Sequence, residues 1–469
     1  MLVMLFMKSL RAAKEILSNE PEEWLAYLHG QKLDELESYR NARAPLPGAL
    51  FHCGYLIVYI LKTFILSLRS ASTPNTENPT YLVYANTQNQ FSSIRRTASA
   101  LNKKGEHVVA YTFSPEIAQT SEPTERFSQL SVSLTSILLT LALLTVKGPS
   151  LYFRLKKKDK ILTQHFFTFF IKSYFYLVTF HKTLIMQKPR YVIVSNDHSV
   201  DCRSLLAVAR YLDIKTVYMQ HASVSDVFPA LTVDYAFLDG NAALNTYLLC
   251  EKNQPDTAKR RNHPAVFLSG QKKPLKINKA KKNTHIGVAT NRLDNPALII
   301  ELVSYLSGQG FPVSLRWHPR QLADDVALFN KHFDSIPLVT LSEPGSQSID
   351  DYLSSLSHLI SGNSSILLEA AISGAVPLYH EVQPPFIEDY YGYVQHGLAK
   401  KLDTRESIVD FINTKGVHGP DPAAVRYYSA TYDTQWHGKE GELVATSLTT
   451  LEEGQGVEQL WGFTLFATH

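Results

Sequence analysis

The stretch His358–Glu381 restricts what this chain can fold into more than any other. Its residues are His-Leu-Ile-Ser-Gly-Asn-Ser-Ser-Ile-Leu-Leu-Glu-Ala-Ala-Ile-Ser-Gly-Ala-Val-Pro-Leu-Tyr-His-Glu. Leu359-Ile360 reads as the end of a strand. Ser361-Gly362-Asn363 reads as a turn, because Gly and Asn accept backbone angles that other residues resist. Ser364 and Ser365 then offer N-cap hydroxyls to a helix over Ile366–Ser373. Gly374 stops that helix, and Val376–Tyr379 opens the next strand. A tight turn between strand end and helix start aims N–H groups and the positive end of the helix dipole at one point, which suits a phosphate. Glu369, one turn into the helix, is placed to take hydrogen bonds from ribose hydroxyls. Every open α/β protein contains such turns, so their neighbours decide whether a ligand sits there.

A chain of 469 residues exceeds one ordinary core and predicts two domains. Apolar residues make up 45% and charged residues 19%, a globular balance. A net charge of +3 excludes a strongly electrostatic nucleic-acid binder. Cys53, Cys202 and Cys250 are far apart, which fits a reducing compartment and predicts a cytoplasmic protein without disulfides. Three apolar stretches stand out: Leu50–Leu68, Phe127–Val146 and Ile161–Phe180. Phe127–Val146 is long enough to span a bilayer but carries many Ser and Thr residues. Core helices, a membrane span, or docking at the inner face of the membrane through Lys156-Lys157-Lys158 and Lys160 all stay open.

Along the chain, residues 1–80 read as a helical N-terminal appendage. Tyr81–Tyr84, a helix over Ile94–Lys104 and Val108–Phe113 then open a parallel sheet. Apolar strands at Tyr191–Val194, Thr216–Met219 and Tyr235–Leu238 complete a Rossmann-like domain over 81–270. The lysine-rich stretch 269–283 reads as a linker. A second Rossmann-like domain over 284–420 starts with the strand His285–Ala289. It continues through a helix over Pro296–Ser307, a strand over Phe311–Trp317 and a helix over Ile349–Leu356. Residues 421–469 read as a helical return and tail.

Polar clusters follow these strands immediately, where ligands bind in open parallel sheets. In the second domain His318-Pro319-Arg320 is expected to open a helix, with Pro at its first position and His318 beside the helix N-terminus. Arg292, Arg316 and Arg320 supply charge for a phosphate. In the first domain, Asp197 and His198 leave one strand and His221 leaves the next. His221 suits a general base, with Asp197 either orienting it or serving as the base. No dinucleotide fingerprint, phosphate-binding P-loop, nucleophile elbow or metal-ligand spacing occurs, so neither a cofactor nor a metal is expected.

At Tyr191–His221, Arg316–Arg320 and Ser361–Glu381 the sequence resembles GT-B glycosyltransferases of bacterial capsule and lipopolysaccharide synthesis. It is most similar there to CDP-glycerol glycerophosphotransferases and bacterial polysialyltransferases. The resemblance implies an α/β fold of two Rossmann-like domains with an interdomain cleft. It implies a donor site of Arg292, Arg316, His318, Arg320, Gly362, Asn363, Ser364, Ser365 and Glu369, with His318, Ser364 and Ser365 on the phosphates and Glu369 on the ribose. His221 matches the base of the polyol-phosphate branch, although Ala222 stands where that family has Gly. The polysialyltransferases use an acid before a Gly, which Asp239-Gly240 half matches. The implied activity is inverting transfer from a nucleotide-activated sugar, CMP- or CDP-linked, to a glycan or glycolipid acceptor at the inner leaflet. A polyol-phosphate transferase, a sugar-nucleotide 2-epimerase and a non-catalytic assembly scaffold are the alternatives.

Overall fold

A computed structural model describes residues 2–27, 48–69, 78–120, 127–226, 228–253, 264–272, 275, 285–292, 294–384, 387–415, 419–455 and 466–467. The chain forms two compact units. Residues 1–238, 243–268 and 441–469 make the first; residues 239–242 and 269–440 make the second.

In the first unit the apolar runs become β1 (Tyr81–Tyr84), β2 (Val108–Thr112), β3 (Ser128–Gln129), β4 (Tyr191–Val194), β5 (Lys215–Met219), β6 (Tyr235–Leu238) and β7 (Ala265–Leu268). Their order across the sheet is β7-β6-β5-β4-β1-β2-β3, all parallel. β1 and β4 are buried along their whole length, which is why they read as unbroken apolar runs and not as alternating ones.

One face of this unit carries a layer of helices built around Lys160–Gln187, against which Leu2–Asn19, Gly48–Arg69, Leu134–Lys158 and Val200–Tyr211 pack. The expected apolar helix at 127–146 begins later and runs longer. Ser128 and Gln129 pair with β2, and Ser133 Oγ accepts the Ser136 N–H at 3.2 Å to start the helix. Asp159 ends that helix and caps the next, accepting the Leu162 N–H at 2.8 Å. The N-terminal residues are fastened to this layer: Glu22 accepts from Tyr174 at 2.7 Å, and Glu20 holds Arg210 with two bonds at 2.7 Å.

The second unit contains β8 (His285–Ala289), β9 (Val313–Arg316), β10 (Val339–Ser342), β11 (Leu356–Ser361), β12 (Val376–Tyr379) and β13 (Lys400–Lys401). The order is β10-β9-β8-β11-β12-β13, again parallel. Leu356, expected to close a helix, starts β11; the helix ends at Ser354. A last strand, β14 (Phe466–Ala467), runs antiparallel to β7 in the first sheet. Each parallel sheet reverses its winding beside its first strand: β1 sits between β2 and β4, and β8 between β9 and β11. Loops leaving the carboxyl ends of adjacent strands diverge at such points and leave room for a ligand.

Candidate functional site

In the second unit, the loops after β8, β9, β11 and β12 meet at the winding reversal. After β9, His318 C=O accepts the Gln321 N–H at 2.8 Å, so residues 318–321 form a β-turn with Pro319 at its second position. The helix that sequence placed at Pro319 starts instead at Ala323. The same fixed proline angle that suits a first helical residue also suits this turn, which explains the displacement. His318 Nδ1 accepts the Arg320 N–H at 3.0 Å, so the proton of the neutral ring resides on Nε2. Burial lowers the pKa of this imidazole, and the charges of Arg320 and Arg292 lower it further. The ring is therefore a neutral Nε2–H donor flanked by two exposed guanidinium groups. Thr290 ties the exits of β8 and β9 together by accepting the His318 N–H at 3.2 Å.

After β11, Ser361 Oγ donates to Ala289 C=O at 2.8 Å and joins this exit to that of β8. A Cβ at Gly362 would lie 2.3 Å from Glu381 Oε2, so the turn requires glycine because a carboxylate packs against it. Glu381 Oε1 accepts the Asn363 N–H and the Tyr379 hydroxyl, both at 2.8 Å. One N–H that the sequence offers to a phosphate is thus held by an internal carboxylate. The Asn363 side chain fastens the following loop, accepting the Tyr390 N–H at 2.8 Å and donating to Ile387 C=O.

Ser365 precedes the helix Ile366–Ser373 in helical conformation (φ −62°, ψ −16°) and makes no capping bond through its side chain. This corrects the expected N-cap role, which needs extended backbone for the hydroxyl to reach the N–H two or three residues on. The half-exposed hydroxyls of Ser364 and Ser365 make no hydrogen bond among the described residues. Gly374 ends the helix as expected, at φ 94°.

Two predicted donor-site residues are buried inward. Arg316 donates to Ser342 Oγ at 2.8 Å and to Gln347 C=O at 3.1 Å, and lies over the Tyr352 ring at 5.2 Å. Burial lowers its pKa, opposed by Tyr352 and by the charge of Glu369, itself buried on the helix Ile366–Ser373. Sequence reasoning missed Asp294 in the loop after β8. It accepts the Asn291 N–H at 2.7 Å, and burial, with Glu381 as a neighbouring charge, raises its pKa to about 6. The loops after β8 and β12 also meet where Asn295 N–H donates to Gln383 at 3.1 Å.

In the first unit, the loop after β4 is folded by Asn196, whose Oδ1 accepts the N–H groups of His198 at 2.9 Å and Ser199 at 2.6 Å. Asp197 is buried, and both its oxygens are engaged. Oδ1 accepts from His198 Nδ1 at 2.9 Å, and Oδ2 from the Tyr247 hydroxyl at 2.6 Å. Burial alone would raise the pKa of this carboxyl, but His198, Tyr247 and Arg203 outweigh it and the net shift is downward. A carboxylate on Nδ1–H leaves Nε2 of His198 as the acceptor nitrogen, 3.5 Å from Asn196 Nδ2, on a side chain 30% exposed and packed on Phe228 at 4.4 Å. Asp197 therefore orients His198 and Tyr247, whereas the sequence reading had it either orienting His221 or serving as the base itself. His221 leaves the neighbouring strand, β5, and is half-exposed.

Tyr247 and Arg203 carry no local motif and were missed. Arg203 is buried, donates to Asp197 C=O at 3.0 Å and to Trp24 C=O at 2.7 Å, and lies over the Trp24 ring at 4.8 Å. Burial lowers its pKa to about 10. Among the described residues, no group of three or more His, Cys, Asp or Glu side chains is placed to hold a metal ion.

The fold these two units define is the GT-B class, two Rossmann-like α/β units each with its own parallel sheet. Among solved structures, the chain is similar to a putative UDP-N-acetylglucosamine 2-epimerase from Listeria monocytogenes, at 14% identity and TM-score 0.50, over 81% of this chain and 98% of that one. It is similar to UDP-GlcNAc 2-epimerase from Methanocaldococcus jannaschii, at 13% identity and TM-score 0.50, over 79% and 99%. The Neisseria meningitidis UDP-GlcNAc 2-epimerase bound to UDP-GlcNAc matches at 13% identity and TM-score 0.50, over 79% and 99%. At such identities the likeness is one of fold. No protein-family model and no curated protein matches the sequence.

Proposed function

We propose that this protein is an inverting glycosyltransferase that takes a nucleotide-activated sugar, CMP- or CDP-linked, and extends a surface polysaccharide on a glycan or glycolipid acceptor. The observation that carries this reading is the His318 ring, held neutral with its proton on Nε2 and flanked by Arg292 and Arg320. Together with the start of the helix Ile366–Ser373, this is a set of donors suited to a phosphate that gains charge as it leaves. The second unit would hold the nucleotide. Ser364 and Ser365 would contact its phosphates, and Glu369 would reach the ribose only if the surrounding packing opens.

The first unit would supply the base. His198 Nε2, supported through Nδ1–H by ionised Asp197, takes the proton of the acceptor hydroxyl. The acceptor oxygen forms a bond to the anomeric carbon on the face opposite the nucleotide. The carbon–oxygen bond to the phosphate breaks, and the electron pair leaves with the phosphate. His221 is the second candidate for the base, and a polyol-phosphate transferase would use the same groups at phosphorus.

A sugar-nucleotide 2-epimerase is the second reading, favoured by the names of the three structures above. The experiment is incubation of the full chain with CMP-, CDP-, UDP- and GDP-linked sugars, with and without a lipid-linked glycan. Acceptor-dependent release of nucleotide supports transfer. Inversion at sugar carbon 2 with the nucleotide still attached supports the epimerase. No consumption, and no thermal stabilisation by any nucleotide, overturns both.

A further inference from the structure

The helix Gly48–Arg69 has a buried face of mixed character and an exposed face that is apolar. One carries His52, Leu56, Ile60, Thr63 and Ser67, buried against the helix Lys160–Gln187. His52 fixes this seating, with Nε2 2.7 Å from Gln164 C=O and Nδ1 on the Thr168 hydroxyl. The opposite face carries Leu50, Val58, Leu61, Ile65 and Leu68, which are 89%, 64%, 46%, 48% and 68% exposed. These positions recur at intervals of three, four, seven and eight, a continuous stripe along the helix. An aliphatic stripe of this length gains by being covered, and the protein leaves it bare.

The helix Leu134–Lys158 packs against the same partner helix and against Gly48–Arg69 itself. It exposes Leu138, Val146 and Phe153, and then ends in Lys156, Lys157 and Lys158, with Lys160 following. These four exposed lysines have no carboxylate partner among the described residues, whereas nearby Arg154 is paired with Glu22 and Glu23. An anionic lipid surface supplies both what the aliphatic stripe lacks and what the lysines lack.

We propose that the outer face of Gly48–Arg69 and the exposed stripe of Leu134–Lys158 seat this protein on the surface of an anionic bilayer, without crossing it. Both helices are long and apolar enough to cross a membrane, but each is fastened along one side to Lys160–Gln187. Only the free sides enter the headgroup and upper acyl region, and the lysines pair with lipid phosphates. The inference stands apart from the proposed chemistry, because neither stripe includes a candidate site residue.

Co-sedimentation of the full chain with vesicles of phosphatidylcholine alone, and of phosphatidylcholine with phosphatidylglycerol, tests it. The expected result is binding to the anionic vesicles that weakens as salt rises. The Val58→Glu/Leu61→Glu variant, altered only on the exposed face, should lose binding at least tenfold while keeping the wild-type melting temperature. Charge reversal of Lys156, Lys157 and Lys158 should remove the preference for anionic lipid, on the order of fivefold for each lysine. Equal binding of wild type and the Val58→Glu/Leu61→Glu variant overturns the proposal, as does absence of binding to either vesicle. A lipid-free dimer that this variant dissolves also overturns it, by assigning the face to a second copy. The thermal shift given by the preferred nucleotide, measured without lipid, should be the same in all variants, which separates failure here from failure of the proposed chemistry.

Discussion

His318 Nδ1 accepts a hydrogen bond from the backbone N–H of Arg320 at 3.0 Å, and that one contact decides which ring nitrogen can donate. Asparagine can keep the contact through Oδ1 but has nothing at the position of Nε2. His318→Asn should retain wild-type stability and lose nucleotide affinity by roughly tenfold to 100-fold, the worth of a hydrogen bond to a charged group. Titration calorimetry with CMP, CDP, UDP, GDP and ADP measures it. Unchanged affinity for the preferred nucleotide would remove His318 from the donor site.

The Asp197–His198 pair should affect rate and not nucleotide binding. His198→Ala should lower kcat by about 10²–10⁴-fold, the usual contribution of a positioned base. Asp197→Asn keeps the Tyr247 contact and releases the tautomer of His198, so it should lower kcat while the nucleotide thermal shift persists. Measuring His221→Ala beside them decides between the two histidines: a larger loss there would move the base to the exit of β5.

Asp294 predicts how stability depends on pH. Its folded pKa of about 6 lies above the ordinary value of 3.8, so ionising it costs more in the folded protein than in the unfolded chain. That cost is absent below about pH 4 and complete above about pH 6 to 7. Allowing for partial exposure it amounts to about 1–2 kcal/mol. Asp294→Asn should therefore match wild type in urea unfolding at pH 4 and exceed it by that amount at pH 7.5. Parallel curves at the two pH values would contradict the assignment.

Gly362 and Glu381 should be coupled. Gly362→Ala places a methyl 2.3 Å from the Glu381 carboxylate and should cost about 1–3 kcal/mol of stability. In the Gly362→Ala/Glu381→Ala double variant the clash is gone, so the second substitution should restore part of the loss. A double-mutant cycle in denaturant reads the coupling, expected at about 1 kcal/mol or more. Additive effects would mean that the loop relaxes around the methyl.

Much of the architecture was legible because buried parallel strands leave a plain signal. Tyr81–Tyr84, Tyr191–Val194, Tyr235–Leu238, His285–Ala289 and Val376–Tyr379 were each bounded as the structure has them. Boundaries failed where one residue type serves two structures. Pro319 suits a helix start and a β-turn alike, and Ser128–Gln129 left an apolar run to pair with β2. The candidate site was legible as positions and not as contacts. Asp197 and His198 adjoin in sequence, but Tyr247 reaches Asp197 from 50 residues away, and Trp24 reaches Arg203 from 179. Asn363 and Arg316 were read as ligand contacts by residue type, while their partners belong to the fold itself: Tyr390 and Gln347 in loops and Ser342 at the end of β10.

Val444, Ala445 and Leu448, on the helix Glu440–Glu452, lie in the same buried cluster as Tyr81, Phe91, Val217 and Phe267. The first core is therefore incomplete until the helix Glu440–Glu452 has been made. During synthesis its strands wait while residues 269–440 are added, roughly 10–30 s at ordinary elongation rates. The residues of the second unit are all made by Glu440. Until that helix is made, the early strands, Tyr81–Tyr84 among them, lack part of the apolar cover they have in the finished core.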